Sequence, residues 1–182
     1  MEKTIRKAAI RLSKEAVLIL LTVISAVALP QILHTAGVYF GVGALLGQML
    51  LPMYLPVMII GFQRGIAPGA VAGFLAPIIS FYMTGMPAAA ILPYITVELV
   101  ATGALAGAFA GLRIFPLFRV LSVQLAAKAV RLAVLASVQL YSSGTVVASA
   151  LFAGILTSHP GVVIQLVLLT LLLWKRDKNN VR

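Results

Sequence analysis

Six windows of roughly 17 to 25 mostly apolar residues run through this chain, each long enough to cross a hydrocarbon layer about 30 Å thick. Of the 182 residues, 62% are apolar and only 10% charged, with a mean hydropathy of +1.09. A soluble domain of this length buries one core and needs no such excess. The expected fold is therefore all-α, a polytopic membrane bundle of six transmembrane helices, some of them broken by Pro or Gly.

The charges say which way such a bundle is inserted. There are 14 Lys and Arg against 4 Asp and Glu, a net charge of +10 that would ordinarily raise the question of nucleic acid. The basic residues, however, fall at Lys3 to Lys14, at Arg64, from Arg113 to Arg131 and at Lys175 to Arg182, so alternate connections carry them. That is the positive-inside pattern, and it places both termini in the cytoplasm with an even number of spans. No basic stripe is interleaved with aromatics, so no nucleic-acid partner is expected. Cysteine is absent, which removes disulfides, thiolate nucleophiles and Cys-ligated metals together.

Along the chain, residues 1–15 are expected to form a cytoplasmic amphipathic segment. Ile5, Ala8, Ala9 and Leu12 share one helical face, either on the membrane surface or as a solvated basic start. Residues 16–175 are then expected to form the six-helix transmembrane domain, and residues 176–182 a basic cytoplasmic tail. Span one covers about 16–33, with Pro30 expected to kink or end it. An A-x-A-like cue at Ala26 to Ala28 resembles a signal-peptide cleavage site, but the apolar stretch runs on to Leu33, long enough to remain as a span. Span two, about 42–62, contains Pro52 and Pro56 and reads as a broken helix. Span three covers about 66–84 and closes at the turn Thr84-Gly85-Met86-Pro87; span four covers about 90–111. Arg113 to Arg119 forms a basic connection, and span five, about 121–141, ends at Tyr141-Ser142-Ser143-Gly144. Residues 146–174 read as one discontinuous element, whose second half starts at Ser158 as N-cap with Pro160 in the first turn.

Two patterns stand out against this apolar background. Gly61, Gly65, Gly69 and Gly73 recur every four residues, as do Gly103, Gly107 and Gly111. Each interior Gly costs roughly 1 kcal/mol of helix propensity relative to Ala, so the stripes need a packing reason. They serve either static packing inside the bundle or, for Gly61, Gly65, Gly69, Gly103 and Gly107, docking of a partner helix. The second pattern is the intramembrane pair Glu98 and Arg131, which the helix rise places at similar depths. A charge near a helix centre costs about 2.5 to 3.5 kcal/mol, so these two are expected to pair or to face a cavity. A snorkelling role for Arg131 is the alternative, since Lys128 lies one turn earlier.

Gln48, Tyr54, Tyr82, Gln139, Tyr141, His159 and Gln165 fall at middle or outer depths, where they can hydrogen-bond or stack on a ligand. Each serves equally well as an interhelical or interfacial group. His34 and His159 have no carboxylate partner in the pattern, so no metal or other cofactor is expected. Phosphate-binding loops, HExxH and Gly-x-Ser-x-Gly are all missing, so any energy must come from elsewhere or the protein is a passive conduit.

Leu51-Pro52-Met53-Tyr54-Leu55-Pro56-Val57, Gly61-Phe62, Gly65 and Pro68-Gly69-Ala70 together resemble the membrane-embedded S components of energy-coupling factor (ECF) transporters. The likeness continues through Gly73-Phe74-Leu75-Ala76-Pro77, Thr84-Gly85-Met86-Pro87, Glu98-Leu99 with Gly103, and Pro160-Gly161 with Gln165, covering roughly residues 34 to 168. This resemblance implies a six-helix fold that captures a vitamin or vitamin precursor near the outer face. It also implies docking on a transmembrane coupling protein with two cytoplasmic ATPase subunits, and delivery of the ligand inward by toppling. On this reading the substrate site comprises Glu98, Arg131, Gln48, Tyr54, Tyr82, Gln139, His159 and Gln165, and the other partners are membrane lipids. Two other classes compete with it: a membrane enzyme using Glu98 and His159 as acid and base, and an autonomous carrier.

Overall fold

The computed structural model describes residues 2–42, 49–141 and 158–180; the side chains at 3–5, 7–9, 11, 138–141 and 180 fall outside that description. Among the described residues there are six helices and no strand. They are α1 (Glu2–Tyr39), α2 (Tyr54–Arg64), α3 (Ile66–Thr84), α4 (Leu92–Phe109), α5 (Pro116–Tyr141) and α6 (His159–Asn180). Four stretches are long and apolar enough to cross a membrane: Leu12–Tyr39, Ile66–Thr84, Leu92–Phe109 and Pro116–Ser137. With 11 residues, α2 reaches only about 16 Å and cannot cross alone. The apolar part of α6 gives way to Lys175, Arg176, Asp177 and Lys178 in its last turns.

Several boundaries differ from the sequence expectation. Residues 2–15 join the first span in a single helix, α1, which no Gly or Pro interrupts before Pro30. Pro30 does not end span one either: the helix continues to Tyr39. Proline removes one backbone bond, but without water the flanking carbonyls and amides have no better partners than the helix itself. At the far end, α6 stays helical through Asn180, so residues 176–180 continue that helix. Arg119 is not in a connection. It lies in the first turn of α5, which starts with Pro116, a residue suited to a helix start because it has no N–H to satisfy.

At one end of the bundle, polar groups tie four helices together. Arg119 is 5% exposed, pairs with Asp177 of α6 and donates from Nη1 to the carbonyl of Ala110 at 3.2 Å. Arg176 Nη1 donates to the carbonyl of Phe62 in the last turn of α2 at 2.7 Å. The ends of α2, α4 and α6 and the start of α5 therefore meet where the basic residues concentrate.

Apolar packing sets the order of the helices. α4 packs against α2, α3 and α5, α1 covers α2 and α3, and α6 rests on α5. Val57, Met58 and Phe62 of α2 join Leu99 of α4, Val120 and Val123 of α5, and Leu169 and Leu173 of α6 in the main core. Val23 and Val27 of α1 form a second cluster with Ile60 and Ala72. The outer faces stay apolar: Leu20 and Ile24 of α1, Phe74 of α3, Leu125 of α5, and the stripe Val163, Val167 and Leu171 of α6 are all exposed. In water such a surface would aggregate; against lipid tails it needs no cover.

The glycine stripes are used inside the chain. A methyl group added at Gly103 would strike the backbone of Gly69, one at Gly107 the backbone of Gly65 and Ile66, and one at Gly73 the carbonyl of Leu99. Gly61 likewise faces Gly103 and Ala106. Of the glycines expected to dock a partner, Gly61, Gly69, Gly103 and Gly107 are packed within the chain's own α2–α3–α4 seam, whereas a methyl group at Gly65 would meet nothing within 4 Å. The physical reason is the close backbone approach that only a missing Cβ permits.

Candidate functional site

Glu98 is the centre of the polar chemistry. It sits on α4 with 1% exposure, and two cations reach it from α5. Arg131 Nη1 donates to Glu98 Oε2 at 2.7 Å, and Lys128 Nζ lies 3.6 Å from Oε1. Lys128 and Arg131 are three residues apart, so they occupy neighbouring positions on one face of α5 and straddle a single carboxylate. Two cations thus face one carboxylate, leaving one positive charge in excess. The expected pair exists, and Lys128, which suggested a snorkelling role for Arg131, is itself part of the cluster.

Beside this cluster lies a small cleft. Glu98 and Thr102 of α4, Gln124, Ala127 and Lys128 of α5, Leu51 and Tyr54 from the start of α2, and Val162 and Gln165 of α6 line it. It has room for about one water molecule. The Thr102 hydroxyl donates to the backbone carbonyl of Glu98 at 2.7 Å, so its hydrogen is committed inside α4.

The break in the second apolar segment forms one wall. Residues 49 and 50 are helical, the chain turns at 51–53, and α2 begins at Tyr54, whose N–H donates to the Leu51 carbonyl at 3.1 Å. Leu51 has φ 46°, a left-handed conformation that a bulky side chain rarely adopts and that the surroundings must hold. α6 provides the hold. Gln165 Nε2 donates to the carbonyls of Leu51 at 2.9 Å and Leu50 at 3.3 Å. Gly161 is pressed so closely on Met49 and Leu50 that a methyl group there would collide with their carbonyls. The first turn of α6 thus lies against the carbonyl oxygens of the break.

The site residues expected from sequence divide clearly. Glu98, Tyr54 and Gln165 line the cleft, and Arg131 is bonded to Glu98. Tyr82 is 81% exposed and stands edge-to-face with Phe81, away from the cleft, so the structure does not bring it to the site. Depth alone suggested Tyr82, and its position around the helix turns it outward. His159 is exposed as the first residue of α6 and does not line the cleft with Glu98. Gln48 and the side chains of Gln139 and Tyr141 lie outside the described residues. Among the described residues, no three His, Cys, Asp or Glu come together.

Sequence reasoning missed Gln124. It is 7% exposed, and neither its Nε2 nor its Oε1 has a hydrogen-bond partner. Leaving one buried polar atom unsatisfied costs about 1 to 3 kcal/mol. The available signal was helical spacing, since Gln124, Ala127, Lys128 and Arg131 occupy i, i+3, i+4 and i+7 on α5. Comparison with known proteins finds no matching family model, no similar curated protein and no similar solved structure.

Proposed function

We propose that this chain is the substrate-capturing subunit of an ATP-driven importer of the ECF type, taking up a vitamin or vitamin precursor. The observation that carries the reading is the Glu98–Arg131–Lys128 cluster at the wall of a small cleft, closed by a broken helix, inside an otherwise apolar bundle. Buried ions are expensive in lipid and mark ligand or ion paths, and transporters place substrate at discontinuous helices. The sequence resemblance to S components adds the class of cargo and the dependence on a coupling protein and two ATPases.

In this proposal α1, α3, α4 and α5 span the membrane, and the remaining two crossings are residues 42–62 and 146–174. The end tied by Arg119, Arg176 and Asp177 faces the cytoplasm, as the positive-inside rule requires. The chain has no native cysteine, so single cysteines can map this topology directly. Labelling from the outside is expected at residues 36–41 and absent at residues 112–115.

Because the cleft holds about one water molecule, binding must be coupled to its widening. The deciding experiment is binding to the purified protein across a vitamin panel, with submicromolar affinity expected for one compound. Glu98→Gln is expected to weaken that ligand by about 1 to 3 kcal/mol, the range of a lost charged hydrogen bond, while membrane insertion is unchanged. Absence of any ligand below micromolar concentration would sink the proposal. Uptake by vesicles lacking ATP and partner proteins would replace it with an autonomous carrier.

A further inference from the structure

Gln124 stands at the wall of the cleft, one turn before Lys128 and two before Arg131, so the three share a stripe of α5. Its carboxamide is more than nine-tenths buried with both polar atoms unused. Buried amides in folded proteins are nearly always satisfied, and one that is not calls for an explanation. The matching partner offers a hydrogen-bond acceptor and a donor side by side. Since a carboxamide can turn over, either order of the two serves.

The neighbouring charges add a second, independent constraint. Lys128 and Arg131 outnumber Glu98, the one acidic residue lining the cleft, and the surplus positive charge sits in surroundings that solvate it poorly. A guest bearing one negative charge cancels it. The spacer between the two recognition points is apolar, because Leu51, Ala127 and Val162 also line the cleft.

Resting on the reading of this chain as a small-molecule binding subunit, we propose that its ligand is an organic monoanion: a carboxylate that also carries an amide- or lactam-type edge. Gln124 reads the edge, and Lys128 with Arg131 takes the carboxylate. The rise along α5 sets the two groups roughly 6 to 10 Å apart in the ligand.

The test uses the purified chain in nanodiscs and a thermal-shift screen of four sets of compounds: carboxylates with an amide or lactam, carboxylates without one, neutral amides, and amines. The strongest stabilisation is expected in the first set. The methyl ester of the best compound is expected to bind at least tenfold more weakly, and Gln124→Leu to weaken the acid at least tenfold. Gln124→Leu should itself melt no lower than the unsubstituted protein, because it removes a polar group with no protein partner. A best compound from another set, or unchanged affinity in Gln124→Leu, overturns this inference and leaves the binding-subunit reading standing. No stabilising compound in any set overturns both. If Gln124→Leu folds poorly, Gln124→Met keeps the side-chain length and is read the same way; failure of both to fold marks the amide as structural and overturns the proposal.

Discussion

The two faces of α4 are built on opposite principles. On one, Gly103 and Gly107 meet the backbones of Gly69, Gly65 and Ile66 with no side chain between them; on the other, Glu98 and Thr102 line the small cleft. At 3.6 residues per turn, Glu98 lies roughly 140° to 180° around the helix from the two glycines. The seam gains stability from close van der Waals approach, which lipid cannot imitate. The cleft gives stability away, with a surplus charge and an unsatisfied amide. Placing the costly groups against a rigid wall keeps them positioned without loosening the scaffold, and it separates the residues that build the molecule from those that the proposed guest would meet.

Substitutions on the two sides should therefore differ in kind. The largest effect is expected from Gly103→Leu, which forces a side chain into the Gly69 backbone and should lower stability by about 3 kcal/mol or more, read by thermal unfolding in detergent. A melting temperature within a degree of the unsubstituted protein would show that the seam is not close-packed. Next comes Arg131→Met, expected to cost about 2 to 3 kcal/mol by leaving Glu98 to the more distant Lys128. Adding Glu98→Leu to Arg131→Met should recover part of that loss. Failure to recover any would mean that the cost comes from packing rather than from a stranded charge.

Gln165→Leu should cost about 1 to 2 kcal/mol, since two carbonyls lose their donor. Its signature is local: faster hydrogen exchange at the Tyr54 amide, with α3 and α4 unchanged. The smallest effect, under about 1 kcal/mol, is expected from Lys128→Met, because that side chain is 20% exposed and lies 3.6 Å from its partner. A loss matching that of Arg131→Met would make the two cations equivalent and redraw the cluster.

What the sequence revealed depended on whether the question was depth or direction. Depth was legible: Ile66–Thr84 matches the expected third span, Glu98 and Arg131 do pair, the second segment does break near Pro52, and the last helix starts with Pro160 in its first turn. Direction around each helix was harder to read. Tyr82 has a suitable depth but points outward, whereas Gln124 looks like an ordinary polar residue until its phase with Lys128 and Arg131 is followed. The pairing of Arg119 with Asp177 joins residues far apart in sequence, and local pattern carries no trace of it. Of the two outcomes expected at Pro30, a kink or an end, α1 excludes the end, because the rule that proline ends helices comes from chains with water to receive the freed carbonyls.

A seam in which Gly69, Gly73, Gly103 and Gly107 each meet backbone has no slack. If a guest larger than one water is to be admitted, the yielding must fall on the other side of α4, where α6 grips the turn at Leu51 through one glutamine side chain and one glycine. The seam then serves as a fulcrum and α6 as a latch, and the threshold for admission is set by how firmly Gln165 holds two oxygen atoms.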